Sequence, residues 1–286
     1  MGKALTVLDV VRKSADFLER KQVENPRLNA EWLIAHVLGM GRMQLYLQFD
    51  RPLQEPELGK MREYVARRGK REPLQYIIGQ TPFLNLTIKC DHRALIPRPE
   101  TEQLVEQIID LGPEIDEEVR ILDLGTGSGA IALALAMHFP RSQVVAIDES
   151  IKAIDLAKDN ALHCGLQNRV EFVQSDWFEK LGEADLFDLI VANPPYLTKE
   201  ELSYAESEVK DFEPVIALVA DNAGLEDLLI IIEGAFKHLE EGGTLWLETG
   251  IEQHSALLDS CNRYGYSESE GINDWSGRPR FVRAKR

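Results

Sequence analysis

The chain has 286 residues, of which 44% are hydrophobic and 28% are charged, so its size and composition are those of a soluble protein with about two domains. Its longest apolar runs fall far short of the ~20 residues that span a bilayer, and no secretory signal pattern is visible. We therefore expect a cytoplasmic protein with no membrane partner. The cysteines Cys90, Cys164 and Cys261 are few and far apart, which predicts neither a disulfide framework nor a metal site.

The net charge of −16 is unevenly divided along the chain. Residues 1–75 hold 14 Lys and Arg against 10 Asp and Glu, whereas the remaining residues hold 18 against 38. The acidic part would repel a phosphate backbone, which counts against stable nucleic-acid binding. The basic residues of the first part crowd together as Arg62, Arg67, Arg68, Lys70 and Arg71. This cluster is either a solvated helix face or a docking patch for an acidic partner protein.

Residues 1–73 predict a small all-α domain. Thr6 and Asp9 form a capping box before a first helix, and a second helix is predicted to start at Asn25-Pro26 and to end at Gly39. A short piece at 43–48 and a helix at 56–71 follow. The second helix is predicted to bury an apolar face that consists of Leu28, Trp32, Ala35 and Leu38.

Residues 74–96 alternate in polarity and carry β-formers, so they predict a β-hairpin linker with its turn at 79–82. Pro97 and Pro99 then bracket Arg98 and prevent a helix before Glu100. This proline-rich segment is expected to approach a ligand bound by the domain that follows. Pro97, Arg98 and Glu100 are therefore candidate substrate-binding residues.

The rest of the chain, 97–286, alternates strand-like and helix-like segments, which predicts a Rossmann-like α/β domain. Its apolar runs predict seven strands, at 119–124, 143–147, 169–174, 187–192, 244–249, 266–270 and 280–284. The first strand ends in a glycine-rich turn before a helix. Such a turn lets a ligand approach the backbone, and the helix start offers free N–H groups, although a lone Gly-x-Gly-x-Gly would equally suit a dinucleotide. The candidate cofactor-binding residues here are Asp123, Gly125, Thr126, Gly127, Ser128 and Gly129.

Acidic residues end the next two strands. Asp148 lies 21 positions beyond Gly127, which is near the spacing expected for an acid that binds ribose hydroxyls. Asp176 is followed by Trp177, and an acid beside an aromatic ring suits the amine and the face of an adenine. Asp148, Asp176 and Trp177 are thus candidate cofactor-binding residues. Either acid could instead cap the helix that follows it.

The fourth strand ends in Asn193-Pro194-Pro195-Tyr196, the most informative turn of the chain. Two prolines cannot donate backbone hydrogen bonds, so the strand must stop there, at the edge where open α/β sheets bind ligands. An asparagine side chain both accepts and donates, so it can hold a planar NH2 group. We predict that these four residues are catalytic and that Asn193 also contacts the cofactor.

With these residues the chain resembles class I S-adenosylmethionine-dependent methyltransferases, and more closely the peptide-chain-release-factor glutamine methyltransferase family. The resemblance runs from Pro73 to nearly the end of the chain. Its most specific part is Ile-Pro-Arg-Pro-Glu-Thr-Glu at 96–102, upstream of the glycine-rich turn. Ala220 and Ala223 depart from the pattern, because glycine is expected at both positions. Both lie outside the predicted cofactor site.

The resemblance implies transfer of a methyl group from S-adenosylmethionine, which leaves S-adenosylhomocysteine, to the glutamine of the Gly-Gly-Gln loop in peptide chain release factors, tuning translation termination. It implies that 1–73 recognises this partner and that 97–286 is the methyltransferase domain. The helices of 1–73 could instead be only a stabilising cap. The Asn193 side-chain carbonyl and the Pro194 backbone carbonyl would accept the two amide N–H groups of the glutamine, and Tyr196 would wall the pocket. Two alternatives are an adenine or cytosine amino-methyltransferase acting on DNA or RNA, and a nicotinamide-dependent oxidoreductase or nucleotide-binding module.

Overall fold

The computed structural model describes residues 4–286, which form two compact units. Unit 1 extends to Gly79 and also contains Glu206–Phe212, whereas unit 2 comprises Gln80–Ala205 and Glu213–Arg286. Residues 1–3 of the predicted helical domain lie outside the described residues. None of the helices between residues 4 and 286 is long and apolar enough to cross a membrane.

Unit 1 is helical, as the sequence predicts. The capping box before its first helix is confirmed, since Asp9 N–H donates to Thr6 Oγ1 at 3.2 Å and Thr6 N–H donates to Asp9 Oδ2 at 3.0 Å. The helices are α1 (Val7–Arg20), α2 (Pro26–Leu38), a 3-10 helix (Arg42–Leu47), α3 (Glu55–Arg68), α4 (Leu74–Ile78) and, from the later segment, α9 (Ser207–Lys210).

The buried face of α2 differs in part from the predicted one, because Ala35 is buried as predicted but Leu28 and Trp32 are not. Leu28 and Trp32 are 39% and 38% exposed, whereas Leu33 and Ile34 are fully buried. Helix α2 carries large apolar residues on more than one side, so helical spacing alone could not select the face. Packing against α1 and α3 decides it, by enclosing Leu33 and Ile34 in the core of unit 1.

The basic cluster is not a free docking patch, so that interpretation is wrong for most of its arginines. Arg68 is 6% exposed and donates to Glu208 Oε1 at 2.7 Å and to Asn29 Oδ1 at 2.7 Å. Arg71 pairs with Glu206 at 2.7 Å and with Glu208 at 2.6 Å. The solvated-face alternative also fails for Arg68, because its guanidinium is buried. The remaining ion pairs of the cluster are Arg62–Glu55 and Arg67–Glu72.

Unit 2 begins with an antiparallel hairpin, β1 (Gln80–Phe83) and β2 (Leu86–Lys89), so a hairpin is present but its predicted turn is wrong. The chain turns at residues 84–85, where Leu84 has a positive φ of 49°. The first predicted strand is instead α4. Pro73 directly precedes α4, and proline suits the start of a helix.

The central sheet of unit 2 has the seven strands that the sequence predicts. Their order is β5-β4-β3-β6-β7-β9-β8, with β3 to β7 parallel and β9 antiparallel to both of its neighbours. The strands are β3 (Arg120–Leu124), β4 (Gln143–Asp148), β5 (Val170–Gln174), β6 (Phe187–Ala192), β7 (Leu239–Glu248), β8 (Glu268–Asn273) and β9 (Pro279–Lys285). The helices are α5 (Pro99–Leu111), α6 (Ala130–His138), α7 (Ile151–His163), α8 (Lys199–Tyr204), a short turn α10 (Asp221–Gly224), α11 (Glu226–His238) and α12 (His254–Tyr264), with a 3-10 helix at Val215–Ala217.

Apolar residues cover both faces of this sheet. Along β3, Ile121 packs into one cluster with α5 and α6, and Leu122 packs into the other with α11 and α12. Successive residues of a strand point to opposite faces, so a strand buried on both faces is largely apolar, as β3 is apart from Arg120 and Asp123. The parallel strands β3 to β6 end at one edge, and the four turns with ligand-binding residue types therefore lie together.

The ion pairs of unit 1 predict unequal effects for two neighbouring glutamates. Glu208→Ala removes the carboxylate that accepts from the buried Arg68, so the free energy of unfolding should fall by about 1.5–3 kcal/mol. Glu206→Ala is the matched control, because the Glu206 side chain is 64% exposed and its ion pair should contribute less than ~1 kcal/mol. Urea denaturation of both variants measures the difference. Equal losses would contradict the assignment of Glu208 as the main partner of Arg68.

Candidate functional site

A cavity of about 600 Å³ lies at the carboxyl edge of the sheet in unit 2, a volume typical of small-molecule sites. Residues of all four turns line this cavity together with the segment before α5. The predicted site residues that line it are Pro97, Arg98, Gly125, Thr126, Gly127, Ser128, Asp148, Asp176, Trp177, Asn193 and Pro195. The predicted residues outside its lining are Glu100, Asp123, Gly129, Pro194 and Tyr196.

Asp123 lies beneath the glycine-rich turn and is fully buried. Its Oδ2 atom accepts from Thr126 Oγ1 at 2.6 Å and from the Ala132 N–H at 3.1 Å, so it ties the turn to the start of α6. Its Oδ1 atom is buried without a hydrogen-bond partner among the described residues. Burial raises the pKa of the Asp123 carboxyl to about 7.

The conformation of the glycine-rich turn requires glycine. Gly129 has a φ of 82°, and a Cβ atom there would lie 3.1 Å from the Cβ of Ala157 on α7. Gly125 has a φ of 69°, and its Cβ would lie 3.4 Å from the Trp177 ring. Both positions have a left-handed backbone that favours glycine, and at Gly129 the neighbour on α7 also leaves little room for a Cβ atom.

Asp148 is not the cap of the helix that follows it. That role belongs to Ser150, whose hydroxyl accepts from the Ala153 N–H at 3.3 Å. The Asp148 carboxylate accepts from the Gly127 N–H and the Ser150 N–H, both at 2.8 Å, and burial raises its pKa. Asp148 therefore holds the glycine-rich turn in place, and its oxygens keep capacity for further donors.

Asp176 also fails to cap a helix, because a turn rather than a helix follows it. Trp177 has a positive φ of 35°, and its indole Nε1–H donates to Asp227 Oδ1 at 3.3 Å. Asp227 lies at the start of α11 and lines the same cavity. This indole contact fixes the ring orientation, and the sequence reasoning did not identify Asp227.

The Asn193 turn belongs to a hydrogen-bonded chain of buried and half-buried side chains. Asn193 Nδ2 donates to Thr101 Oγ1 at 3.0 Å, and Thr101 Oγ1 donates to Glu248 Oε2 at 2.7 Å. The Tyr196 hydroxyl donates to Glu248 Oε1 at 3.1 Å. Burial raises the pKa values of the Glu248 carboxyl and of the Tyr196 hydroxyl. Tyr196 thus stands behind the cavity as a partner of Glu248.

Sequence reasoning missed Thr101 and Glu248, although a signal for Glu248 was present. Glu248 ends the parallel strand β7, as Asp148 ends β4, and an acid at the end of an apolar strand was the signal used for Asp148. Thr101 lies inside the Ile-Pro-Arg-Pro-Glu-Thr-Glu segment, but nothing in its spacing indicates contact with Asn193.

Arg98 forms an ion pair within unit 2. Arg98 donates to Glu213 Oε1 at 2.5 Å, and the Ile96 N–H donates to Glu213 Oε2 at 3.1 Å. Glu213 is 5% exposed, so this carboxylate fixes the segment before α5 at the cavity rim. Glu213 is a further residue that the site prediction did not include.

One departure from the family pattern has a structural consequence. Ala223 has a φ of 55°, in the left-handed region where glycine is favoured, so the glycine expected there would relieve backbone strain. Ala220 has an extended backbone, with a φ of −113°, and glycine would bring no such relief there. Among the described residues, no group of three or more His, Cys, Asp or Glu side chains is placed to hold a metal ion.

Comparison of this fold and sequence with known proteins defines the class first. The strand order is that of a class I methyltransferase, and the structure matches a methyltransferase from Pyrococcus furiosus with a TM-score of 0.51 at 18% identity over 71% of this chain and 89% of the other. It also matches the hMettl16 catalytic domain, solved in complex with the MAT2A 3'UTR hairpin 1, with a TM-score of 0.56 at 16% identity over 81% of this chain and 80% of the other. At such identities these matches establish the fold alone.

Sequence matches then define the family. The PrmC N-terminal domain model matches residues 9–79, and the methyltransferase small domain model matches residues 101–209. The release factor glutamine methyltransferase of Geobacter sulfurreducens is 40% identical over 97% of this chain and 95% of its own. That of Escherichia coli is 38% identical over 91% of this chain and 92% of its own. The chain belongs to the release factor glutamine methyltransferase family.

The raised pKa of Asp123 predicts a pH-dependent stability difference. Its pKa is about 7 in the folded state against an ordinary 3.8, so between these values the folded chain holds a proton that the unfolded chain has lost. This group therefore lowers the free energy of unfolding by up to about 1.4 kcal/mol per pH unit as pH rises through that window. Asp123→Asn removes this titration. The free energy of unfolding of the variant, relative to that of the unsubstituted protein, should therefore rise from pH 4 to pH 7 and then level off.

Urea denaturation across this pH range measures the difference. Glu240→Gln is the control, because it makes the same change of charge at an exposed position. A stability difference between Asp123→Asn and the unsubstituted protein that stays constant from pH 4 to pH 7 would show that Asp123 titrates normally.

Proposed function

We propose that this protein transfers the methyl group of S-adenosylmethionine to the side-chain amide nitrogen of the glutamine in the Gly-Gly-Gln loop of peptide chain release factors. The observation that carries the proposal is the oriented amide of Asn193 at the cavity. Its NH2 end is held by Thr101, so its carbonyl oxygen remains to accept from a substrate N–H. The names of the relatives support the same substrate.

The cavity fits S-adenosylmethionine by its residue types. The glycine-rich turn offers a close backbone approach, Asp148 offers carboxylate oxygens for ribose hydroxyls, and Trp177 offers a ring for the base. The unpartnered Oδ1 atom of Asp123, directly beneath the turn, suits a positively charged amino group. S-adenosylmethionine, once bound, supplies an activated sulfonium methyl group, and no metal is required for its transfer.

The protein's main contribution is orientation, because an amide nitrogen is a poor nucleophile whose lone pair is delocalised. The Asn193 side-chain carbonyl and the Pro194 backbone carbonyl accept the two N–H groups of the glutamine amide. Held in this way, the nitrogen would face the methyl donor in the orientation that an in-line transfer needs. Bound S-adenosylmethionine would supply the methyl group, so that a nitrogen–carbon bond would form as its carbon–sulfur bond broke, with that electron pair kept by sulfur. The nitrogen then releases a proton to water.

We further infer that the partner is a protein in the cytoplasm and that unit 1 recognises it. The acidic charge of the part after residue 75 disfavours a nucleic-acid substrate by repulsion. Arg67, Arg68 and Arg71 of the basic cluster are paired internally, so they are not free to dock an acidic partner. Recognition by unit 1 would then rest on other surface residues, among which Met43 and Leu47 are 70% and 86% exposed.

A labelling assay tests the substrate directly. With radiolabelled S-adenosylmethionine, an unmodified release factor should accept one methyl group, and a factor with alanine in place of the Gly-Gly-Gln glutamine should accept none. Duplex DNA in a parallel reaction should stay unlabelled. Equal labelling of the two release factors would contradict the assignment of the glutamine as the methylated residue. Labelled DNA would favour an amino-methyltransferase acting on bases.

A substitution tests the role of Asn193. Asn193→Ala removes an acceptor that matters most in the transition state, so kcat should fall by at least ~100-fold while the Kd for S-adenosylmethionine changes much less. Single-turnover kinetics and calorimetry measure the two effects. The control is Asn262→Ala, at an exposed position of α12 outside the cavity lining, which should leave kcat within a few fold. A folded Asn193→Ala protein with near-normal turnover would refute the amide clamp.

A further inference from the structure

The hydrogen bonds around Thr101 have a fixed direction. A threonine hydroxyl carries one proton, and Thr101 gives that proton to Glu248 Oε2 at 2.7 Å. Its oxygen can then only accept from Asn193, so the NH2 end of the Asn193 amide must face Thr101, at 3.0 Å. If the Asn193 amide were turned over, two acceptor oxygens would face each other.

Glu248 sets this direction because it acts as an acceptor at both of its oxygens. It is 1% exposed at the end of β7, and the Tyr196 hydroxyl donates to its second oxygen at 3.1 Å. Thr101 is 5% exposed in the first turn of α5. Both side chains are held on regular elements, so neither can turn away from the other without breaking a buried hydrogen bond, which is costly.

We propose that Thr101, anchored by Glu248, is a positioning residue that keeps the Asn193 side-chain oxygen as an acceptor and so makes the site select an amide over a carboxylate. This rests on the function proposed above. A substrate amide brings two N–H donors to the Asn193 and Pro194 carbonyls, whereas a glutamate carboxylate brings only acceptors. A turned Asn193 amide would present its NH2 group instead. That group suits a carboxylate and leaves one N–H group of the glutamine without an acceptor.

The first experiment compares kinetic constants of three variants. Thr101→Val keeps the shape of the side chain and removes the hydroxyl, so kcat for an intact release factor should fall about 10- to 100-fold. The Kd for S-adenosylmethionine should stay within about threefold, because Thr101 acts through Asn193. Thr101→Ser restores the hydroxyl and should recover most of kcat. Thr249→Val is the matched control, because its buried hydroxyl contacts only backbone carbonyls, of Gly250 and Arg280.

The second experiment measures a property that a merely structural role would not move. The unsubstituted protein should bind a release factor with the Gly-Gly-Gln glutamine more tightly than one with glutamate at that position. Thr101→Val frees the Asn193 amide to turn, so the ratio of the two Kd values should shrink severalfold. Thr249→Val should leave this ratio unchanged, whatever its effect on stability.

Two outcomes overturn the inference. One is a folded Thr101→Val protein with the kcat and the affinity ratio of Thr249→Val. The other is a Thr101→Ser protein whose kcat is as low as that of Thr101→Val. If the valine variant did not fold, a low kcat of a folded Thr101→Ser protein would by itself reject the inference. Failure of the proposed function would give other results. Either Asn193→Ala would keep the kcat of the unsubstituted protein, or the unsubstituted protein would not methylate the glutamine. Loss of activity in Asn193→Ala but not in Thr101→Val would reject the positioning role alone.

Discussion

Unit 2 depends on burying carboxylates at the carboxyl ends of its parallel strands. A buried carboxylate is unfavourable unless hydrogen-bond donors replace the water it has lost. Asp123, Asp148 and Glu248 each end or nearly end a strand, and each takes its donors from a neighbouring turn or helix start. The donors are hydroxyls and backbone N–H groups of segments that would otherwise be loops. The hydrogen bonds that stabilise the buried carboxylates therefore also fix the segments that line the cavity.

This arrangement explains how a site made largely of turns can be well ordered. The glycine-rich turn is held from below by Asp123 and from the side by Asp148, and the Asn193 turn is held through Thr101 and Glu248. A pre-organised acceptor costs no reordering when the substrate arrives, which is the main source of rate in a reaction limited by orientation. The rigid sheet and the acids at its edge are thus part of the chemistry.

The sequence predicts those features that local pattern controls. The seven apolar runs predicted as strands of the central sheet each form one, and the turn residues that follow the strands lie together because parallel strands share an edge. Apart from residues 74–78, which form α4 rather than a strand, prediction failed where a partner distant in the chain decides the outcome. The carboxylate that neutralises Arg68 lies 140 positions away, and the buried face of α2 depends on which helices pack against it. The hydrogen bond from Asn193 to Thr101 spans 92 positions, so spacing could not have indicated it.

The division of the chain also limits how the proposed recognition role of unit 1 can be studied. Unit 1 is discontinuous, because the chain leaves unit 2 after Ala205, contributes Glu206–Phe212 to unit 1 and returns at Glu213. Glu208 supplies the buried partner of Arg68, so a fragment that starts near Leu74 would keep this carboxylate and lose the arginine. Poor methylation by such a fragment could therefore result from the disrupted packing of residues 206–212 as well as from lost recognition. Substitutions at exposed positions such as Met43 leave the internal ion pairs intact and separate the two effects.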